Sequence, residues 1–450
     1  MQKLKLSTSQ IILLSFLLAI LIGSFLLWLP ISSADGKAVP YIDALFTATT
    51  ATCVTGLVTL PTVTAWSTFG HIVILFLIQI GGLGVITVMT GLMIMLHRKM
   101  GLGNRLLIQD AFNLNTLSGL SAFIKKVIAG TFAVEGIGAL LYMTVFIPEF
   151  GLKGIWISVF NSISAFCNAG IDIIAENSLE NYSLNPIINF VTCMLIVLGG
   201  LGFIVWWDLI YTFKNSHKKG FRKLKDLSLH SKLAISATLF FILSGAILTF
   251  IFEYNNPATI KDLSFWNKIR VCVFQSVTTR TAGFFTVPQQ NLTNATSLVS
   301  ILLMFIGGSP VGTAGGIKTV TIVILFASAL STIRGKNMVN LFNRRISDEA
   351  LSKAVAVVCT SFSIAFISTI LLAAVTQASF IDILYETVSA TATVGLSRNL
   401  TSSLNIWGKL IIIFTMYFGR VGPISLAIAF KVKKDSPNII KNPIEKISVG

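Results

Sequence analysis

The chain has 450 residues, of which 54% are hydrophobic and only 12% charged, and its mean hydropathy is +0.81. This composition excludes a soluble domain with a solvated surface and indicates a polytopic membrane protein. The net charge of +16 invites a nucleic-acid-binding function, but the basic residues fall between hydrophobic stretches, which is typical of membrane orientation signals.

The first apolar run, Ile11 to Trp28, follows Lys3 and Lys5 and has the outline of a signal peptide. Because no A-x-A-like cleavage site follows it, we predict a helix that is retained in the mature protein, with cleavage as the alternative. The five cysteines show no metal-ligand spacing, and a disulfide framework is not expected.

A short segment that ends in glycine recurs four times along the chain. The copies end at Gly56, Gly170, Gly283 and Gly395, at intervals of 112 to 114 residues. Such a period marks an internal repeat. Other positions agree as well: ten residues before the glycine stand Phe46, Phe160, Val273 and Tyr385, and six residues before it stand Thr50, Ser164, Val277 and Ser389.

Each segment lies between two apolar runs. The second run carries a small-residue motif, which reads GGLG at 81–84, GGLG at 199–202, GGSP at 307–310 and GRVG at 419–422. For the first two copies we favour close helix packing as the reason for these small residues. The fold class predicted is an all-α polytopic membrane protein of four tandem helix, short helix, helix repeats, with eight transmembrane helices and four half-helices.

The predicted repeats cover residues 1–100, 101–215, 216–335 and 336–430, and a tail covers 431–450. Basic residues number 24 in the termini and the connections between repeats, against eight on the opposite side. The positive-inside rule therefore predicts that both termini and the connections are cytoplasmic, and that the glycine segments enter the membrane from outside.

The short segment is too short to cross a membrane. From Asp43 to Ala51 a helix would rise about 13 Å, against a hydrocarbon core of about 30 Å. The chain must turn near Gly56 and return, and irregular backbone at this depth is tolerated only when it is buried in protein or lines a water-filled path.

The four segments together predict a cation pore. Half-helices that enter from outside point their partially negative C-terminal ends inward, and the stretch that follows can offer carbonyl oxygens to a dehydrated ion. Glycine permits positive φ and close approach to the axis. The predicted filter residues are Thr52, Cys53, Val54, Thr55 and Gly56; Phe166, Cys167, Asn168, Ala169 and Gly170; Thr279, Arg280, Thr281, Ala282 and Gly283; and Thr391, Ala392, Thr393, Val394 and Gly395.

Taken together, the motifs DALFTATTATCVTGL, IQIGGLG, AFCNAG, RTAGF, GGSPVGTAGGIK, TVGL and FGRVGP resemble the Ktr/Trk/HKT superfamily of potassium transporters, and most closely its bacterial Ktr membrane subunit. The resemblance covers essentially the whole chain. It implies four repeats around one pseudo-fourfold pore, and glycine in all four filter segments goes with potassium selectivity in that family.

The resemblance also implies an assembly in the bacterial cell membrane. A Ktr membrane subunit forms a homodimer in the lipid bilayer on a cytoplasmic KtrA/KtrC-like regulatory ring. The resemblance implies that this ring carries the nucleotide (ATP or ADP). After Ala429 only about twenty residues remain, and no nucleotide-binding domain is expected in this chain. No covalent cofactor and no nucleic acid is expected; potassium is the transported ion and sodium a candidate activator. The basic loops at 214–232 and 334–353 suit either the ring or anionic lipid.

The third repeat contains a glycine-rich stretch, FIGGSPVGTAGGIKTV at 305–320, which so many small residues with a proline cannot hold as a regular helix. In Ktr proteins the matching stretch is an intramembrane gate loop below the filter, and the alternative is a structural kink. The predicted gate-loop residues are Gly307, Gly308, Ser309, Pro310, Gly312, Thr313, Ala314, Gly315 and Gly316.

Two charged residues stand out within apolar runs. Arg420 is expected to face the pore below the filter, where it would lower cation occupancy or hold the gate loop; snorkelling to the cytoplasmic edge is the alternative. Glu135 has no partner that the sequence identifies, and pairing or a buried hydrogen bond is the simplest interpretation.

Other functions are less well supported. A secondary transporter with broken helices usually shows inverted repeats, whereas these four repeats share one orientation. A sodium-permeable Trk/HKT-like cation transporter is a further alternative. An enzyme is not predicted, because the four histidines show neither metal-ligand nor catalytic spacing.

Overall fold

The computed structural model describes residues 8–95, 119–216, 218, 220–336 and 338–422. The predicted tail, the basic residues at positions 3, 5, 98, 99 and 105, and the predicted boundary between the first two repeats lie outside this part of the chain. The described residues are predominantly helical.

The helices follow the order expected of four related units. The first unit holds α1 Thr8–Trp28, α2 Tyr41–Cys53, α3 Thr62–Ala65, α4 Thr68–Leu83 and α5 Val85–Met95, and the second holds α6 Leu120–Phe150, α7 Lys153–Cys167, α8 Pro186–Leu201 and α9 Phe203–Asn215. The third holds α10 Leu229–Glu253, α11 Phe265–Thr278, α12 Asn294–Phe305 and α13 Thr319–Ile333, and the fourth holds α14 Asp348–Val375, α15 Phe380–Ala392 and α16 Ile406–Val421.

Short elements connect these helices. A two-stranded antiparallel hairpin, β1 Asn340–Leu341 and β2 Arg344–Arg345, precedes α14. Five 3₁₀ turns occur at Pro30–Ser32, Glu180–Tyr182, Gly220–Asp226, Gln289–Asn291 and Thr401–Ser403.

Four long helices, one opening each unit, are long and apolar enough to cross a membrane: they cover Gln10–Trp28, Leu120–Phe150, Leu229–Glu253 and Asp348–Val375. Large apolar side chains lie exposed along them, including Phe132 and Phe240, as expected of helices that face lipid.

The second apolar helix of each unit begins at a polar capping residue, because Ser67, Asn185, Thr293 and Asn405 each accept a hydrogen bond from a backbone N–H of the first turn. In the first three units this helix does not continue as one span. It is interrupted at Gly84, at Gly202 and by residues 306–318, and α8 and α9 form a 94° bend. The interruption in the third unit was predicted from the sequence, whereas those at Gly84 and Gly202 were not. The described residues hold four candidate spans by length and composition, or five with the bent pair.

Candidate functional site

The short helices α2, α7, α11 and α15 lead into the four glycine segments, residues 52–56, 166–170, 279–283 and 391–395. The helices extend further than predicted, because Cys53, Cys167 and Ala392 are still helical and only the last three residues of these segments lie outside a helix. In the third segment the helix ends at Thr278 and a turn precedes the last residues.

The residue two positions before each glycine has a left-handed backbone. Val54, Asn168, Thr281 and Thr393 have φ values of 55°, 60°, 70° and 52°. Three of the four are β-branched, and positive φ in such residues is rare and costs roughly 1–3 kcal/mol. Strain repeated at one position of four segments points to a functional constraint.

Backbone N–H groups of the segments are bound by their own short helices. Thr55 N donates to Thr50 O at 2.8 Å, and Gly56 N donates to Thr50 Oγ1 at 2.9 Å. The fourth unit repeats this, since Val394 N and Gly395 N donate to Ser389 O and Ser389 Oγ at 2.8 and 3.1 Å. The N–H groups are therefore occupied, and the carbonyl oxygens are left to face another partner.

The four glycines lie next to one another around a single point. A Cβ on Gly56 would lie 2.5 Å from Ala169 O, a Cβ on Gly170 would lie 2.5 Å from Ala282 O, and one on Gly283 would lie 2.6 Å from Val394 O. A Cβ on Gly395 would collide with Thr55 O, which closes the ring. Each glycine thus contacts the carbonyl just before the glycine of the next unit, in chain order, and only a residue without Cβ fits.

Side chains of the segments point away from this ring. Val54 Cγ2 would lie 2.7 Å from a Cβ on Gly81, and Cys167 Sγ would lie 2.5 Å from one on Gly82. Arg280 instead reaches Thr238 O and Gly307 O, each at 3.3 Å. The glycines of the second helices therefore do serve close packing, and they make room for the segments' side chains.

The predicted gate loop, a name kept below for residues 306–318, is irregular and is anchored to the second unit. Ser309 N donates to Gly200 O at 2.8 Å, Thr313 N donates to Gly199 O at 3.0 Å, and Phe203 N donates to Val311 O at 2.9 Å. Thr313 Oγ1 also donates to Phe166 O, in the second glycine segment, at 3.0 Å. The loop is thus docked against the helix break at Gly202.

The gate loop also touches the fourth unit. A Cβ on Gly315 would collide with Thr393 Oγ1 and lie 2.7 Å from Ala392 O. The predicted gate-loop residues therefore lie against the second and fourth glycine segments, and Gly307 O accepts from Arg280 of the third.

Arg420 lies in the last turn of α16 and is held by backbone carbonyls. Its guanidinium donates to Thr313 O of the gate loop at 2.7 Å and to Gly81 O of the first unit at 2.5 Å. A charged side chain in an apolar run is costly unless it is hydrogen-bonded, and here the guanidinium joins three units.

Lys318 is a residue that the sequence analysis did not select. Its Nζ donates to Ala314 O at 2.6 Å, so a second cation holds the gate loop. The sequence does show that this lysine ends a charge-free run. From its position alone, however, it could equally be assigned to the start of α13.

Glu135 is buried and is part of a polar cluster behind the second glycine segment. Gln79 Nε2 donates to both of its carboxylate oxygens, at 3.2 and 3.3 Å, and Cys167 Sγ lies 3.9 Å from one of them. The expected buried hydrogen bond is present; its donor lies 56 residues earlier in the chain, in another unit.

A further polar network, also missed, ties the third unit to the fourth. Tyr385 Oη donates to Gln289 Oε1 at 3.0 Å, and Arg398 pairs with Asp382 at 2.7 Å while donating to Ser297 Oγ at 2.6 Å. These contacts fix α15, which leads to Gly395.

The sequence profile of the TrkH family, described as a cation transport protein, matches residues 3–442. The chain is 39% identical to Ktr system potassium uptake protein B of Bacillus subtilis, covering 96% of this chain and 94% of that protein. It is 36% identical to the potassium/sodium uptake protein NtpJ of Enterococcus hirae, covering 99% and 98%.

Among solved structures, the potassium transporter TrkH from Vibrio parahaemolyticus superposes with a TM-score of 0.76 at 15% identity, covering 96% of this chain and 86% of that one. This likeness supports the fold. With the profile match over nearly the whole length and the close relatives, it leads to one conclusion: the chain belongs to the TrkH family of cation transport proteins.

Proposed function

We propose that this chain takes up potassium across the bacterial cell membrane through a channel-like pore whose filter is the ring of glycine segments. The observation that carries the proposal is the contact of each glycine with a carbonyl of the next unit, in closed chain order. Four short helices, α2, α7, α11 and α15, end at this ring, and their C-terminal dipole ends favour a cation there. The carbonyl oxygens replace the water around the dehydrated ion.

In this proposal the four predicted repeats, 1–100, 101–215, 216–335 and 336–430, form the four walls of a pseudo-fourfold pore. The gate loop closes the path on the cytoplasmic side of the filter, where Arg420 and Lys318 hold it through carbonyls. Two cations beside the path also disfavour a resting potassium ion there, because like charges repel in a medium of low dielectric constant.

The proposed assembly is a homodimer in the membrane on a cytoplasmic ring of nucleotide-binding regulatory subunits, with both termini cytoplasmic. Its support is the likeness to a protein named as part of a Ktr system. Sodium is proposed as an activator of flux.

A second candidate is a cation transporter that passes sodium as well as potassium. The name of the Enterococcus hirae relative, a potassium/sodium uptake protein, favours it. Glycine in all four segments favours potassium selectivity instead, and the two candidates differ in the flux ratio of the two ions.

The test is rubidium and sodium flux into vesicles that contain the purified protein, with and without a regulatory ring. The variants Gly56→Ser and Gly395→Ser place a Cβ against Ala169 O and Thr55 O. With rubidium as the tracer for potassium, we expect the rubidium-to-sodium flux ratio to fall about tenfold or more. Gly36→Ser is the matched control, since Gly36 also has positive φ but no atom lies within 4 Å of its Cβ position. An unchanged ratio in both filter variants would overturn the filter assignment.

A further inference from the structure

One face of helix α9 carries a stripe of large side chains, of which the first, Trp207, is half-buried and the others are exposed. Trp207, Ile210, Tyr211 and Lys214 follow the i, i+3, i+4, i+7 spacing of one helix face, and Ile210 and Tyr211 are 53% and 69% exposed. Since α9 leaves α8 at 94°, it lies along the membrane plane when α8 runs along the membrane normal. A helix with this composition and orientation is typical of the boundary between headgroups and acyl chains.

Basic residues surround this stripe. Lys126 Nζ lies 5.4 Å from the centroid of the Trp207 ring, and Lys223 Nζ lies 5.8 Å from the Phe213 ring and donates to Phe213 O at 2.5 Å. Residues 203–232 contain seven lysines and arginines against two aspartates. This count leaves positive charge in excess. Both aspartates are already bonded within the region, since Asp208 accepts from Ser228 and Asp226 pairs with Lys218.

We propose that α9 and the 3₁₀ turn Gly220–Asp226 form a binding surface for anionic phospholipids of the cytoplasmic leaflet. The apolar stripe contacts the acyl-chain boundary, and Lys126, Lys214 and Lys223 contact the phosphate groups. A soluble protein fits less well, since Trp207 contacts Lys126 of α6, which is a candidate spanning helix.

The surface is connected to the gate loop. Phe203, the first residue of α9, donates its N–H to Val311 O at 2.9 Å, and Gly202 packs against Pro310 O. A lipid that holds α9 in the membrane plane therefore also holds the bend on which the gate loop rests.

The test is native mass spectrometry of the purified full chain with added phosphatidylglycerol or phosphatidylcholine, a readout that does not depend on ion flux. We expect the wild type to retain phosphatidylglycerol in preference, and the triple variant Lys126→Gln, Lys214→Gln, Lys223→Gln to retain at least fivefold less. The matched control, Lys37→Gln, Lys153→Gln, Lys261→Gln, removes the same charge from exposed residues on the opposite side of the membrane and is expected to stay within twofold of wild type.

A second variant, Ile210→Ser with Tyr211→Ser, alters only exposed side chains and is also expected to lower phosphatidylglycerol retention. Equal retention of the two lipids by the wild type, or equal losses in the lysine variant and its control, would overturn the proposal. Displacement of the lipid by millimolar inorganic phosphate would also overturn the proposal. The same holds if the lysine variant loses binding of the regulatory ring but retains the lipid.

Discussion

The interruptions of the second helices differ sharply between units. In the first unit the break at Gly84 is a single residue with φ of 84°, whose Cβ position has only Thr87 Oγ1 near it, at 3.8 Å. In the third unit the break lasts from residue 306 to 318, and this loop bonds to the second unit and, through Arg420, to the first and fourth. A single glycine only changes the direction of a helix, whereas the long break forms a loop that hydrogen bonds from other units hold in place.

The largest effect is expected where the gate loop touches the glycine ring. Gly315→Val places a side chain against Thr393 Oγ1 and Ala392 O, so the loop or the fourth segment must shift. We expect rubidium flux into vesicles to fall more than tenfold. Gly136→Val is the control, because no atom lies within 4 Å of its Cβ position; equal flux in the two variants would contradict the close contact.

A smaller effect is expected from releasing the gate loop. Arg420→Gln removes charge-assisted hydrogen bonds to Thr313 O and Gly81 O, each worth about 1.5–3 kcal/mol net. We expect flux without the regulatory ring to rise about fivefold, and Arg420→Lys to rise less. Arg334→Gln, which changes an exposed residue after α13, serves as control, and a fall in flux for Arg420→Gln would show that the guanidinium does not restrain the loop.

The two single-glycine breaks can be compared directly by stability. Both Gly84→Ala and Gly202→Ala force a side chain into a backbone conformation that costs about 1–3 kcal/mol. Only Gly202→Ala also pushes a Cβ against Pro310 O of the gate loop. We expect a larger fall in Tm, measured in detergent, for Gly202→Ala, and equal falls would mean that the gate loop yields freely at this contact.

The smallest effect is expected inside the gate loop. Ser309 Oγ and Thr319 Oγ1 lie 3.0 Å apart, and Ser309→Ala removes this hydrogen bond, worth about 0.5–1.5 kcal/mol net. Flux in the vesicle assay should change by about two- to threefold. Ser363→Ala, at an exposed serine that bonds within α14, should leave flux unchanged; a tenfold change for Ser309→Ala would give the hydroxyl a larger role than its geometry supports.

Much of the local structure could be predicted from the sequence, because the repeat contains four copies of each feature. The short helix predicted from Asp43 to Ala51 is observed as Tyr41–Cys53. The hydroxyl residues found six positions before the glycine also have a physical reason. The hydroxyls of Thr50 and Ser389 accept a hydrogen bond from the N–H of the glycine in the same unit. Val277 lacks a hydroxyl, and in that unit Thr278 Oγ1 bonds to Phe284 O instead.

Contacts between units were not accessible in this way. The breaks at Gly84 and Gly202 occur inside uniformly apolar runs, and the sequence does not distinguish a glycine that permits packing from one that adopts positive φ. The partner of Glu135 lies in another unit. Arg420 binds backbone carbonyls, which every residue has, so no residue type in the sequence identifies its partners. These facts depend on how the units meet.

The hydrogen bonds of the glycine segments to their own short helices have an evolutionary consequence. The first and fourth segments are bonded to their own short helices, and in a single chain a substitution in one quarter leaves the residues of the other three unchanged. A tetramer of identical chains must change all four walls together, but a single chain can change them one at a time. This accounts for segments as different as TCVTG, FCNAG, TRTAG and TATVG, in which glycine is the one residue shared by all.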